Sequence, residues 1–153
     1  MAELRSFGAD VTQGDFGLGT DGTDLVWQHA FGRIQGTGLY PSFELMTAPF
    51  TTNPATLVAR RVGKTPNGLA GEPAVVGCGY AAQNNGLVIG ITRLADGVSW
   101  TLTVTDKSSS IAWAAPIALT CDELFLGGFI TGTPKSTIAR IRLDSLGPGT
   151  PAD

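Results

Sequence analysis

Three observations predict an all-β fold built from repeated units. Gly and Pro are dense, 21 and 9 in 153 residues. Each interrupts helix interiors, and no apolar pattern at helical spacing persists for three turns. Short runs of branched and aromatic residues alternate with turn-forming residues, which is how strands read. Apolar positions also recur at an interval of 49 residues.

Taken in order, 3–7 and 15–18 are the first strand candidates, followed by a glycine-rich turn at 17–22. Strands are expected at 25–27 and 40–45, then at 75–80 and 87–94, and again at 124–130 and 137–143. Segments 100–104 and 111–113 add strand content between the second and third pairs, whereas 51–71 is rich in Thr, Pro and Asn and carries less strand signal.

The pairs fall into one register. Val26, Val75 and Leu124 are equivalent, as are Trp27, Val76 and Phe125. Aromatics recur at Phe31, Tyr80 and Phe129, each after a small residue. In the second strand of each pair Tyr40, Ile89 and Ile138 align, then Leu45, Leu94 and Leu143. Coincident apolar columns mean that each copy buries the same face against its neighbours. The chain is thus one repeat domain, 1–153, with inner hairpins at 24–47, 73–96 and 122–145. It is circularly offset, and 1–22 is expected to supply outer strands.

The run Val75-Val76-Gly77-Cys78-Gly79-Tyr80, a loop, then Val88 to Asp96-Gly97 and Trp100, resembles a β-propeller blade of the TolB-like and related families. Trp113-x-x-Pro116 and Leu119-Thr120 resemble the lead-in to the next blade. The resemblance covers about three blades and brings no catalytic residues with it. Propellers close with about four to eight blades, so three imply a homodimeric six-bladed ring, with 1–22 completing a partner's last blade. The alternative is a monomeric β-trefoil, which also has three repeats.

Composition excludes several classes. Hydrophobic residues at 42 % and a net charge of −3 argue against disorder. A pI near 5.0 with scattered basic residues argues against nucleic acid as a partner. No window approaches the ~20 apolar residues that span a bilayer, so no membrane partner is expected. Residues 1–10 show no basic segment followed by an apolar run, so no signal peptide is visible and the chain reads as soluble. Cys78 and Cys121 read as two half-buried free thiols; with a single His they cannot build a four-ligand zinc site.

Motifs for chemistry are sparse. Gly17-Leu18-Gly19-Thr20-Asp21-Gly22 fits G-x-G-x-x-G, but a strand rather than a helix follows, so it reads as a turn and no cofactor is expected. Asp10, Asp15, Asp21 and Asp24 match no calcium loop and read as turn carboxylates, so no metal is expected. His29 is the sole His, and no nucleophile motif accompanies it. Arg60, Arg61 and Lys64 form the one dense basic cluster, read as a solvated face. Glu44, Arg93 and Arg142 share a column whose alternating signs are expected to pair between blades. Trp27, Trp100, Trp113 and Tyr40 offer sugar-stacking surface, though Trp27 shares an apolar column and reads as core.

The expected function is a non-catalytic, self-associating interaction scaffold, with glycan or protein bound on the ring faces. The alternative is a multivalent, lectin-like carbohydrate-binding protein. Candidate ligand-contacting residues are His29, Arg33, Trp100 and Trp113; no catalytic residue is expected.

Overall fold

The computed structural model describes residues 13–31, 42–50, 58–65, 75–85, 88–103, 111–130 and 136–152. They form three antiparallel sheets, so the all-β expectation holds. The first is β1 (Gln13–Thr20), β2 (Asp24–Phe31), β3 (Ser42–Pro49) and β4 (Arg60–Lys64). The second is β5 (Val75–Gly77), β6 (Tyr80–Asn85), β7 (Val88–Arg93) and β8 (Ser99–Thr103). The third is β9 (Ile111–Leu119), β10 (Glu123–Ile130) and β11 (Ser136–Arg142), followed by a 3-10 turn at Leu143–Ser145. Strands neighbour one another in chain order, so each sheet is a meander. No sheet closes on itself, and no closed barrel of the trefoil kind occurs, among the described residues.

Strand alternation sorts side chains onto two faces of each sheet. One face of the second sheet carries Ala82, Ile89 and Ile91, packed with Leu124 and Leu126 of β10. Its other face brings Ala81, with Leu94 just beyond β7, against Val26, Leu45 and Val62 of the first sheet. The second sheet is therefore the middle layer of a stack. The two seams differ in polarity. The buried polar residues Gln28, Thr47, Gln83 and Thr92 lie on the strands of the first and second sheets, and the alternation that places Val26 and Ala81 in the first seam places these four there too. No buried side-chain polar atom among the described residues lacks a partner, so this polar layer costs little.

The first strands lie side by side. A Cβ on Gly19 would sit 2.5 Å from Val76 Cγ2, and one on Gly77 would sit 2.9 Å from the Leu119 carbonyl oxygen. Glycine at these positions lets β1 approach β5 and β5 approach β9.

The turns after these strands are linked in series. Asp21 accepts hydrogen bonds from the amides of Thr23 and Asp24 in its own turn, both at 2.9 Å, and from Gly79 in the next turn at 3.3 Å. Cys78 and Cys121 are joined by a disulfide, with Cα atoms 5.0 Å apart. This corrects the expectation of two free thiols. The cysteines are 43 residues apart in sequence, but stacking of the second and third sheets puts their turns in contact.

Other expectations change as well. Segment 75–80 is not one strand: Gly77 pairs with Tyr80 across a two-residue turn in which Cys78 and Gly79 have φ of 47° and 76°. Positive φ at both central residues is the twist that tight hairpins favour. The 49-residue register therefore puts Val26 and Leu124 on second strands but Val75 on a first strand. Within 1–22, residues 13–20 are β1, paired with β2 of the same chain rather than offered to a partner's blade. Residues 1–12 lie outside the described residues, as do Arg33 and Tyr40. Arg60–Lys64, read as a solvated face with no strand assigned, is an outer strand.

After the 3-10 turn the chain crosses back over the second sheet. Ser99 and Thr150 exchange both backbone hydrogen bonds, at 2.9 and 2.7 Å. Ala152 then meets Gly63 and Gly97, so this tail touches the first and second sheets after leaving the third.

Candidate functional site

Arg93 closes β7 and Arg142 closes β11, and each is followed by a Leu and then, within three residues, an Asp. Leu94 is buried and Leu143 packs on the core, which fixes the backbone on either side of the arginine. The short spacing then lets each Asp fold back onto its Arg. Arg93 Nε donates to Asp96 Oδ1 at 2.9 Å and its Nη2 to Oδ2 at 2.6 Å. Arg142 makes the same fork with Asp144, with Nε to Oδ1 at 3.0 Å. Glu44 instead pairs with Arg61 on the adjacent strand at 2.7 Å. The expected pairing between blades is therefore not found. Each charge has an acid or base closer along its own sheet, and the nearer partner wins.

Both arginines open onto a cleft of about 550 Å³ between the second and third sheets. Tyr80, directly opposite Arg93 in the ladder, and Trp100 on β8 form its aromatic part, with ring centres 6.4 Å apart and planes at 43°. The Arg93 guanidinium lies 5.7 Å from the centre of the Trp100 ring, within cation–π range. Trp100 Nε1 donates to the Gly147 carbonyl at 2.8 Å, so the tail fixes the indole and supplies one wall. Cys121 and Asp122 lie on the rim. The Asp122 carbonyl accepts from the Leu143 amide at 2.8 Å, which ties the turn before β10 to the residue after β11.

Electrostatics follow from the forks. The hydrogen bond from Arg93 holds the Asp96 carboxyl below its ordinary value, and Asp96 in turn holds the guanidinium of Arg93 more firmly protonated. Asp144 does the same for Arg142. All four groups lie at the surface, where such pairs orient side chains more than they stabilise the fold. With both forks closed, donors and acceptors are fixed in place without a large net charge.

Of the sequence candidates among the described residues, Trp100 lies in this cleft, and Arg33 lies outside the described residues. His29 is on β2, opposite Asp15 and Glu44, on the strand positions that alternate away from the second sheet. Trp113 is on β9, opposite Phe129 in the ladder. The structure does not bring His29 and Trp100 together. Arg60, expected to face solvent, donates to the Leu94 carbonyl at 2.7 Å and so joins the first and second sheets.

Tyr80, Arg142 and Asp144 were not foreseen as site residues. The signal for two of them is in the sequence: Arg93-Leu94 repeats as Arg142-Leu143 at 49 residues, and an Asp follows each pair, at 96 and 144. No group of three His, Cys, Asp or Glu side chains suited to a metal ion occurs among the described residues. Compared with known proteins, the chain matches no family model, no curated protein and no solved structure.

Proposed function

We propose that this chain is a non-catalytic, self-associating scaffold, half of a six-bladed β-propeller that closes as a homodimer. The observation that carries the reading is the unfinished third sheet. The first two sheets have four strands and the third has three, so β11 keeps an unpaired edge among the described residues. On this strand Ile138 is 71 % exposed, and across β10 Ile117 on β9 is 50 % exposed. An open strand edge beside exposed apolar side chains is a liability that association removes.

The meander order, the face-to-face stacking and the adjacency of β1, β5 and β9 all suit blades around an axis. The occupant of the open end is a second copy, because two stacks of three supply six blades, an ordinary ring number, and two-fold dimers are the commonest assembly. The disulfide suits a protein that folds where thiols are oxidised. Replacing Ile138 by Lys tests the reading. A drop from dimer to monomer with a native-like circular dichroism spectrum supports it; an unchanged dimer places the interface elsewhere.

One observation favours a second reading, carbohydrate binding: aromatic surface, the Arg142–Asp144 fork and the Arg93 guanidinium share one cleft. A glycan array tests it, and an array with no saturable spot removes it.

A further inference from the structure

We infer that the cleft between the second and third sheets is a single saccharide site per chain, selective for uncharged rings, one or two at a time. The inference rests on the carbohydrate reading above and narrows it to a place, a stoichiometry and a ligand class.

The size is suitable. About 550 Å³ falls within the ~300–1,000 Å³ of small-ligand sites. The lining also matches the two surfaces of a sugar ring. Its C–H face needs flat apolar surface, which Tyr80 and Trp100 supply. Its hydroxyl edge needs donors and acceptors together, which Arg93, Arg142 and Asp144 supply along the lining.

The platform is fixed before any ligand arrives. The Trp100 indole is held by the Gly147 carbonyl on one side and by the Arg93 guanidinium at its ring. Little ordering then remains to oppose binding.

The charge preference follows from the forks. An anionic ligand must compete with Asp96 or Asp144 for a guanidinium that each already grips through two hydrogen bonds. It must also approach Asp122 on the rim. A cationic ligand must compete with the arginines. A neutral polyol adds hydrogen bonds and breaks neither pair.

One site per chain follows from the strand ends. Tyr80 opens the second strand of its sheet opposite Arg93, and Glu123 opens its own opposite Arg142. In the first sheet the matching pair is Asp24 opposite Pro49, with no guanidinium fork and no aromatic ring.

The test is an NMR titration of the intact disulfide-bonded chain. The probes are methyl glucosides, methyl galactosides, N-acetylglucosamine, cellobiose and lactose, with glucuronate and glucosamine as charged arms. The expected result is saturable shifts of the Trp100 indole N–H and the Leu146 and Gly147 amides. Tyr80→Ala and Arg142→Gln, each with a native-like spectrum, should weaken binding ~10-fold, the loss of one charge-assisted hydrogen bond or of comparable contact. Three results overturn the inference. If array-positive sugars bind both variants as well as the parent, the carbohydrate reading stands and the cleft is wrong. If glucuronate or glucosamine binds more tightly than its neutral counterpart, the ligand class is wrong. If no saccharide scores on the array or in the titration, both readings fall together.

Discussion

The Asp21 carboxylate accepts a hydrogen bond from the Gly79 amide at 3.3 Å, so the first turn of the first sheet is tied to the first turn of the second. One turn further along, Cys78 is bonded to Cys121. Three turns from three sheets thus form one continuous line. Apolar packing alone permits layers to slide, whereas these directional links fix their register.

Partial burial pushes the Asp21 carboxyl up, but the amides of Asp24, Thr23 and Gly79 outweigh it and hold the group below its ordinary 3.8. A carboxyl whose value is lowered by folding stabilises the fold fully above its unfolded value, and the contribution is lost as pH falls through the folded value. Denaturant midpoints should therefore fall as pH drops below about 4. Asp21→Asn should remove part of that acid slope and cost about 1 kcal/mol at neutral pH. Urea titrations from neutral to strongly acidic pH check both; an unchanged slope in the variant assigns the acid sensitivity to other carboxyls.

The disulfide closes a loop whose ends are 43 residues apart, for which chain entropy gives about 4 kcal/mol. Cys121→Ser should lose much of this. Cys78→Asn should lose less, because Cys78 sits at φ 47° and Asn tolerates the left-handed region better than other side chains do. Denaturant unfolding of the two variants gives the order, and equal losses would show that the turn conformation contributes nothing.

Gly97 has φ +73°, and a Cβ there would lie 2.3 Å from the Val62 carbonyl oxygen and 2.7 Å from the Ala152 Cβ. Gly97→Ala should therefore cost about 2–4 kcal/mol, combining left-handed strain with overpacking. The tail should loosen as well. Amide exchange at Thr150, whose N–H donates to the Ser99 carbonyl, reports that release; slow exchange in the variant would mean that Ala152 simply moves aside.

Gln28 and Gln83 are each 1 % exposed, on second strands of adjacent sheets. Truncating either to Ala opens a cavity and strips partners from buried polar groups, so each should cost about 2–4 kcal/mol. Thermal unfolding checks this, and a loss under 1 kcal/mol would mean that water replaces the amide.

What the sequence revealed follows the physics of each signal. Strands with strong apolar runs were legible: β2 from Leu25-Val26-Trp27, β7 from Val88 to Arg93, β10 from Leu124 onward. β4 was not, because Arg60-Arg61 and Lys64 surround a single Val and read as a solvated face. β9 was legible only at 111–113, whereas it runs on through Pro116 to Leu119. The structure accommodates the proline on an edge strand beside the bulge at Ile117, where a missing donor is tolerated. The turn at Cys78-Gly79 was hidden because Cys is not a turn-forming residue, and its conversion to strand shifted the whole second copy. The cleft was half legible: Trp100 stood out as an aromatic surface, but Tyr80 was visible only as a recurring aromatic of the 49-residue register. The Arg93 and Arg142 column was recognised while its local Asp partners were not.

Sedimentation equilibrium of the wild-type chain over a wide concentration range reads the dimer itself. A closed homodimeric ring gives a species of about twice the 15.8 kDa chain mass. A single species of 15.8 kDa at every concentration would contradict it, because the open β11 edge and the exposed Ile138 would then face water in the finished molecule.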